Sequence, residues 1–236
     1  MNTHELIPPF SNEWWIYNLI TIGLIVSIIL IGRNLSINSR KRLTIYIGYI
    51  FMLEFLCMDV YRLYIGTWTI EESLPLHLCS LMWFVTIYLF LTKKQWAFEM
   101  MLYIGMPGGL HSLLTPELSH GGGFLNTFDF FLGHGGLVLA PFYALFVLNM
   151  RPRSNGWYIS FIRLQVIVIV VFIFNYLIES NYMYLSHPPL ANNPLIPSDD
   201  LTIGQWPYYI LIFEVAVLAH AFIINLPFLK IWHNTD

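Results

Sequence analysis

Seven stretches of almost unbroken apolar residues run along the chain: Trp14 to Gly32, Leu43 to Gly66, Leu74 to Leu91, Trp96 to Leu114, Asn126 to Met150, Trp157 to Glu179 and Trp206 to Trp232. Each is close to the roughly 20 residues that an α-helix needs to cross about 30 Å of hydrocarbon. Lipid offers no partners for backbone N–H and C=O groups, so runs of this length must be helices rather than open strands. The pattern predicts an all-α, polytopic membrane protein, a bundle of seven transmembrane helices over about 14–32, 43–66, 74–91, 96–114, 126–150, 157–179 and 206–232. Residues 1–236 form a single membrane domain on this reading, with little chain left for a soluble one.

Composition agrees: 57% of residues are hydrophobic and 11% charged, with a mean hydropathy of +0.62, against about 25% charged in an ordinary soluble domain. Charge sets the orientation. Arg33, Arg40, Lys41 and Arg42 fill the first connection, Lys93 and Lys94 the third, Arg151 and Arg153 the fifth, and Lys230 closes the last run. The N-terminal segment and the second, fourth and sixth connections hold Glu5, Glu13, Glu71, Glu72, Glu117, Asp199 and Asp200 and no Lys or Arg. Positive loops face the cytoplasm, so the N-terminus is expected outside and the C-terminus in the cytoplasm of a multi-pass cell-membrane protein. Beyond these loops there is no basic patch, so no nucleic-acid partner is expected. The first thirteen residues carry His4, Glu5 and Glu13 without a positive n-region, so the first run reads as a retained helix. Cys57 and Cys79 both lie in predicted spans and do not form a secreted disulfide framework.

The connections differ in character. The fourth, Thr115 to Leu125, contains Gly121, Gly122 and Gly123, which permit a tight or mobile loop. The sixth, about Asn181 to Gln205, is rich in proline, asparagine and aromatics and reads as an ordered cap or a linker. Trp14, Trp15, Trp68, Trp157, Trp206 and Tyr208 sit near span ends, where an aromatic belt belongs.

The candidate chemistry lies in polar residues inside the spans, each of which needs a partner or a task. Asp59 and Arg62 are placed in the outer half of helix 2, His77 and Cys79 at the outer start of helix 3, and His111 near the outer end of helix 4. Asp129 and His134 open helix 5, Glu179 ends helix 6 and Glu214 lies about two turns into helix 7. This one-leaflet clustering implies an outward-opening polar pocket. Glu54 and His220 are deeper, and Glu99 starts a helix at the inner side. Asp59 and Arg62 share a helical face as an ion pair. Glu54 and Glu214 can equally be protonated core acids. His134 precedes Gly135 and Gly136, which let a ligand or another backbone come close. Pro107, with Gly108 and Gly109, predicts a kink before His111. No HxxxH or HxxE spacing places two metal ligands on one face, so no metal and no cofactor is expected. Cys79 lies about 200° round a helix from His77, so any base for this thiol must come from another helix.

The runs LPLHLCS (Leu74 to Ser80), GHGG (Gly133 to Gly136), NYMYL (Asn181 to Leu185) and GQWPYYIL (Gly204 to Leu211) resemble the YwaF family of bacterial integral membrane proteins. More distantly, the arrangement is similar to the eukaryotic transmembrane protein 164 family, described as an acyltransferase of ether phospholipids that works through a cysteine and a histidine. That resemblance implies that His134, followed by Pro141 in an HxxxxxxP pattern, is the functional histidine. The family's Pro-Cys-His run corresponds here to Pro75, Leu76 and His77, so the cysteine is missing at its own position and Cys79 stands three residues on.

Two classes of function follow. In the first, an acyltransferase or hydrolase acts on membrane phospholipids at the outer leaflet. His134 is its base, on Cys79 or directly on a hydroxyl, Asp129 or Glu214 orients the imidazole, and Arg62 holds a phosphate. His77 completes the catalytic set, with Asp59, Arg62, His111, Glu179, Tyr182 and Trp206 lining the substrate site. In the second, the same groups bind a small solute and relay protons in a non-catalytic binder or transporter, although neither repeats nor a midplane site is visible.

Overall fold

The structure is a computed structural model that describes residues 5–188 and 205–233, with side chains as far as Leu229. Among these residues the apolar runs fold into helices: α1 (Asn12–Asn34), α2 (Ile37–Tyr64), α3 (Leu78–Thr92), α4 (Gln95–Met100), α5 (Met106–Leu114), α6 (Phe124–Phe146), α7 (Gly156–Ile178) and α8 (Tyr208–His233). A π-helical turn, Met101–Gly105, joins α4 to α5 in one continuous run. Five helices, α1, α2, α6, α7 and α8, are long and apolar enough to cross a membrane. The fold is that of an all-α, multi-pass membrane protein. His4 and most of the sixth connection, including Asp199 and Asp200, lie outside the described residues.

Element boundaries depart from the hydropathy pattern where backbone chemistry overrides it. The basic first connection shrinks to Leu35 and Ser36, because α2 starts at Ile37 and takes Arg40, Lys41 and Arg42 into its first turns. Arg40 then folds back: its Nε donates to the Gly32 carbonyl at 3.1 Å and its Nη2 to that of Arg33 at 3.0 Å. It satisfies acceptors that the end of α1 leaves open. Helix α3 begins at Leu78 rather than Leu74, leaving Pro75, Leu76 and His77 in a turn closed by the Leu76 N–H on the Leu74 carbonyl at 2.7 Å. Pro107, where a kink is expected, is preceded by the π turn, whose wider winding makes room for a ring that cannot donate to the helix ladder.

The chain groups into two compact units, Met1–Trp68 with Cys79–Pro152, and Thr69–Leu78 with Arg153–Asp236. In the first, α6 packs against α1, α2, α4 and α5, and glycines set how close they come. A Cβ on Gly109 would stand 2.9 Å from the His134 carbonyl oxygen, one on Gly133 2.4 Å from the Trp83 ring, and one on Gly136 2.7 Å from Phe51. Gly135 and Gly136, expected to open space beside His134, are thus filled by the side chains of Thr21 and Phe51. The Trp83 indole donates to the Phe51 carbonyl at 3.1 Å and pins α3 to α2. Strands β1 (Glu5–Leu6) and β2 (Glu117–Leu118) pair antiparallel and bring the N-terminal segment onto the fourth connection. That connection is tight: Gly121 and Gly123 adopt φ of +79° and +102°, and the Asn126 amide donates to the carbonyls of His120 and Gly121 at 2.9 and 3.2 Å.

In the second unit α7 packs on α8. The Gln165 amide donates to the Glu214 carboxylate at 2.6 Å across that pair. After α7, Glu179 takes a left-handed conformation (φ +54°) and a short 3-10 turn, Tyr182–Tyr184, follows. The buried Asn175 side chain holds this turn, its amide donating to the Tyr182 carbonyl at 2.9 Å and its oxygen accepting from the Tyr182 N–H at 2.9 Å.

Candidate functional site

The reactive groups of the first unit meet where α3, α5 and α6 come together. Cys79 is the second residue of α3 and is half-buried. The His134 imidazole on α6 lies close enough to this thiol for the two groups to act on each other. The Ser112 hydroxyl on α5 lies 3.9 Å from the Cys79 sulfur. Gly108 and Ser112, one turn apart on α5, both face this sulfur. A Cβ on Gly108 would stand 3.7 Å from Cys79 Sγ and meet nothing else within 4 Å, which leaves room for a methyl group beside the thiol.

His134 is held in one orientation. Its Nδ1 lies 2.8 Å from the Phe130 carbonyl oxygen one turn back on α6, and its ring packs on the Phe130 ring with centroids 4.2 Å apart. A carbonyl can only accept, so Nδ1 carries the proton and the lone pair is at Nε2. The orienting group expected at Asp129 or Glu214 is therefore the Phe130 backbone. Asp129 is engaged elsewhere: its Oδ2 accepts from Arg62 Nη2 at 2.6 Å. Glu214 belongs to the second unit with Gln165.

A second polar cluster in the same unit joins α2 to α6. Arg62 bridges Asp129 at 2.6 Å and Asp59 at 3.6 Å. Glu54 faces Asp129 and Arg62 from α2, and among the described residues neither of its buried oxygens makes a hydrogen bond of good geometry. The Asp59 and Arg62 pair expected from spacing is present, with Asp129 as its stronger half.

His77 lies outside α3. The Met183 N–H donates to its Nδ1 at 3.3 Å, and its ring packs edge-on against Tyr182 with centroids 5.0 Å apart. Tyr182, expected at the substrate, is fully buried. Its hydroxyl donates to the Ile70 carbonyl and accepts from the Leu74 N–H, both at 2.8 Å. Its role in the structure is to clamp the turn before α3. Burial pushes its phenol up to about 12, with the Glu71 and Glu72 carboxylates adding to the shift. Trp206 is half-exposed and donates to the Leu185 carbonyl at 2.8 Å. His111 is exposed on α5. Glu179 lines a cavity of about 630 Å³ with Asn175, Ser180, Ser186 and His187. A smaller cavity in the first unit, about 140 Å³, is apolar and runs between α1, α5 and α6, lined by Trp14, Leu110, Leu113 and Val138 among others.

Two groups escape the sequence reading. Ser112 was hidden beside the more conspicuous His111. Arg163, inside the apolar α7, keeps a buried Nη1 without a hydrogen-bond partner among the described residues.

The fold is that of a multi-pass membrane protein, with a cysteine on α3 and a histidine on α6 close together. The chain matches the TMEM164 family over residues 9–225 and belongs to it. No curated protein and no solved structure matches it.

Proposed function

We propose that this protein transfers acyl chains from membrane phospholipids to a second lipid or to water through a thioester on Cys79. The observation that carries the reading is the Cys79 thiol beside an imidazole whose other nitrogen is fixed on the Phe130 carbonyl at 2.8 Å. A base needs a free lone pair for the proton it takes and a partner that holds its ring; the Phe130 carbonyl is that partner, and it leaves Nε2 free for the thiol. The place of Cys79 in the first turn of α3 adds the partial positive charge of a helix N-terminus, which favours a sulfur anion.

The steps follow from these groups. His134 Nε2 takes the thiol proton, and the sulfur lone pair attacks the ester carbonyl carbon, forming the S–C bond while the carbonyl π pair moves to oxygen. On collapse the ester C–O bond breaks, and the His134 imidazolium returns its proton to the departing alkoxide. An acceptor hydroxyl or water, deprotonated by His134, then attacks the thioester carbonyl carbon; the C–S bond breaks, and the imidazolium returns that proton to the Cys79 sulfur. The family's transmembrane protein 164 members, to which the sequence is similar, are described as acyltransferases that use a cysteine and a histidine, and Cys79 takes the cysteine's part from three residues downstream.

The positive-inside pattern supports seven crossings with the N-terminus outside, which puts Cys79 and His134 in the outer leaflet, at the depth of lipid ester bonds. The motifs shared with the YwaF family support a place in the bacterial cytoplasmic membrane. The test is incubation of the purified protein with acyl-labelled phospholipid and a lysolipid acceptor. Transfer or release of label by the wild type, and its loss in Cys79→Ala and in His134→Ala, is expected. Label that moves equally in both variants, or not at all, would reject the reading.

A further inference from the structure

Ser112 stands apart from the residues that sequence reasoning singles out, and its surroundings give it a task. Helix α5 reaches Cys79 through a face with little bulk: Gly108 opposes the sulfur with only hydrogen, and one turn later Ser112 presents a hydroxyl 3.9 Å from it. His134 approaches the same sulfur from α6. The thiol thus has both a base and an O–H as neighbours.

These two neighbours are not redundant. Once His134 holds the proton, the imidazolium is one donor to the anionic sulfur, but that proton is due to leave with the alkoxide and the bond to it is transient. A serine hydroxyl keeps its proton throughout. Donors to a charged acceptor form shorter and stronger hydrogen bonds than neutral pairs, and contacts that are long in an unliganded site tighten as charge develops.

We propose that Ser112 is a catalytic residue, its hydroxyl donating to the Cys79 sulfur once His134 has taken the thiol proton and holding that sulfur toward the space left by Gly108. The bookkeeping of protons is simple: Ser112 neither gains nor loses one, and the thiol proton alone moves to His134 Nε2. This deepens the thioester reading above and rests on it for its purpose. Its geometry does not depend on which lipid is the substrate.

The experiment reads sulfur reactivity without any lipid substrate. In a Cys57→Ala background, so that Cys79 is the remaining thiol, the purified full chain in detergent is treated with iodoacetamide at neutral pH. The alkylation rate is followed by intact mass. Ser112→Ala is expected to slow alkylation about 10-fold or more, the size of one lost hydrogen bond to a charged group, and Ser112→Thr, which keeps the hydroxyl, to restore at least half of the rate. Equal rates in all three proteins would overturn the assignment. Slowing of the same size in the alanine and threonine variants would overturn it too, because packing rather than the hydroxyl would then be responsible. A chain that shows the expected pattern yet transfers no acyl group keeps the Ser112 assignment and loses only the function proposed for it.

Discussion

Arg62 and Asp129 join α2 to α6 through a 2.6 Å contact between Nη2 and Oδ2. Their side chains are 13% and 24% exposed, so loss of the guanidinium strands two carboxylates, Asp129 and Asp59, in a poorly solvated place. Removing one partner of a buried pair costs about 3 kcal/mol or more. Arg62→Met is therefore expected to lower the midpoint of thermal unfolding in detergent by several degrees, and Arg62→Lys by less. An unchanged midpoint in Arg62→Met would mean that the pair does not stabilise the first unit.

The glycines of α6 give a steric prediction. Gly133→Ala puts a Cβ 2.4 Å from Trp83 and Gly136→Ala one 2.7 Å from Phe51, whereas Gly108→Ala makes an ordinary 3.7 Å contact with Cys79. Overpacking costs about 1–3 kcal/mol, so the first two should melt earlier and Gly108→Ala should melt like the wild type. Gly108→Val should leave the melt nearly intact while slowing alkylation of Cys79, since it covers the space beside the sulfur.

Tyr182 predicts both a local and a pH effect. Tyr182→Phe leaves the Leu74 N–H and the Ile70 carbonyl without the phenol, at about 1–3 kcal/mol for each group that stays buried and unpaired. Limited proteolysis should then cut within 69–77 faster than in the wild type. Because the folded phenol is pushed up to about 12 from its ordinary value near 10, the folded state retains a proton that the unfolded chain gives up. This contribution to stability is complete below pH about 10 and is lost as pH rises toward 12. Urea titrations of the wild type should weaken over that window, and those of Tyr182→Phe should weaken less.

Orientation is tested by labelling. In a cysteine-free background, single cysteines placed in 117–123 should react with an impermeant maleimide added to intact cells, and those at 35–41 should react only after permeabilisation. The reverse pattern would move Cys79 and His134 to the inner leaflet.

How far the sequence carried differs between backbone and site. Hydropathy located the helices because lipid leaves backbone groups one solution, and the five long apolar helices lie where the runs do. Helix ends were less legible. Helix α2 starts behind Ser36, whose hydroxyl accepts from the Ser39 N–H, and α3 starts late, after Pro75, and neither is visible to a hydrophobic count. The spacing of Asp59 and Arg62 revealed their pairing because both sit on one helix, but Asp129, 67 residues away, could join only in three dimensions. His134 and Cys79 were legible as candidates. The Phe130 carbonyl was not, since a backbone acceptor leaves no mark in a sequence, and neither was the turn that takes His77 to Tyr182.

The central claim is that Cys79 carries the acyl group. The most direct measurement is rapid acid quenching of the purified protein with a phospholipid of defined acyl chain, followed by peptide mass spectrometry. The account predicts a peptide containing Cys79 heavier by one acyl group, cleavable by hydroxylamine at neutral pH, absent from His134→Ala and from Cys79→Ser under the same treatment. Acyl transfer that continues in Cys79→Ala, with no adduct on Cys79 in the wild type, would contradict it.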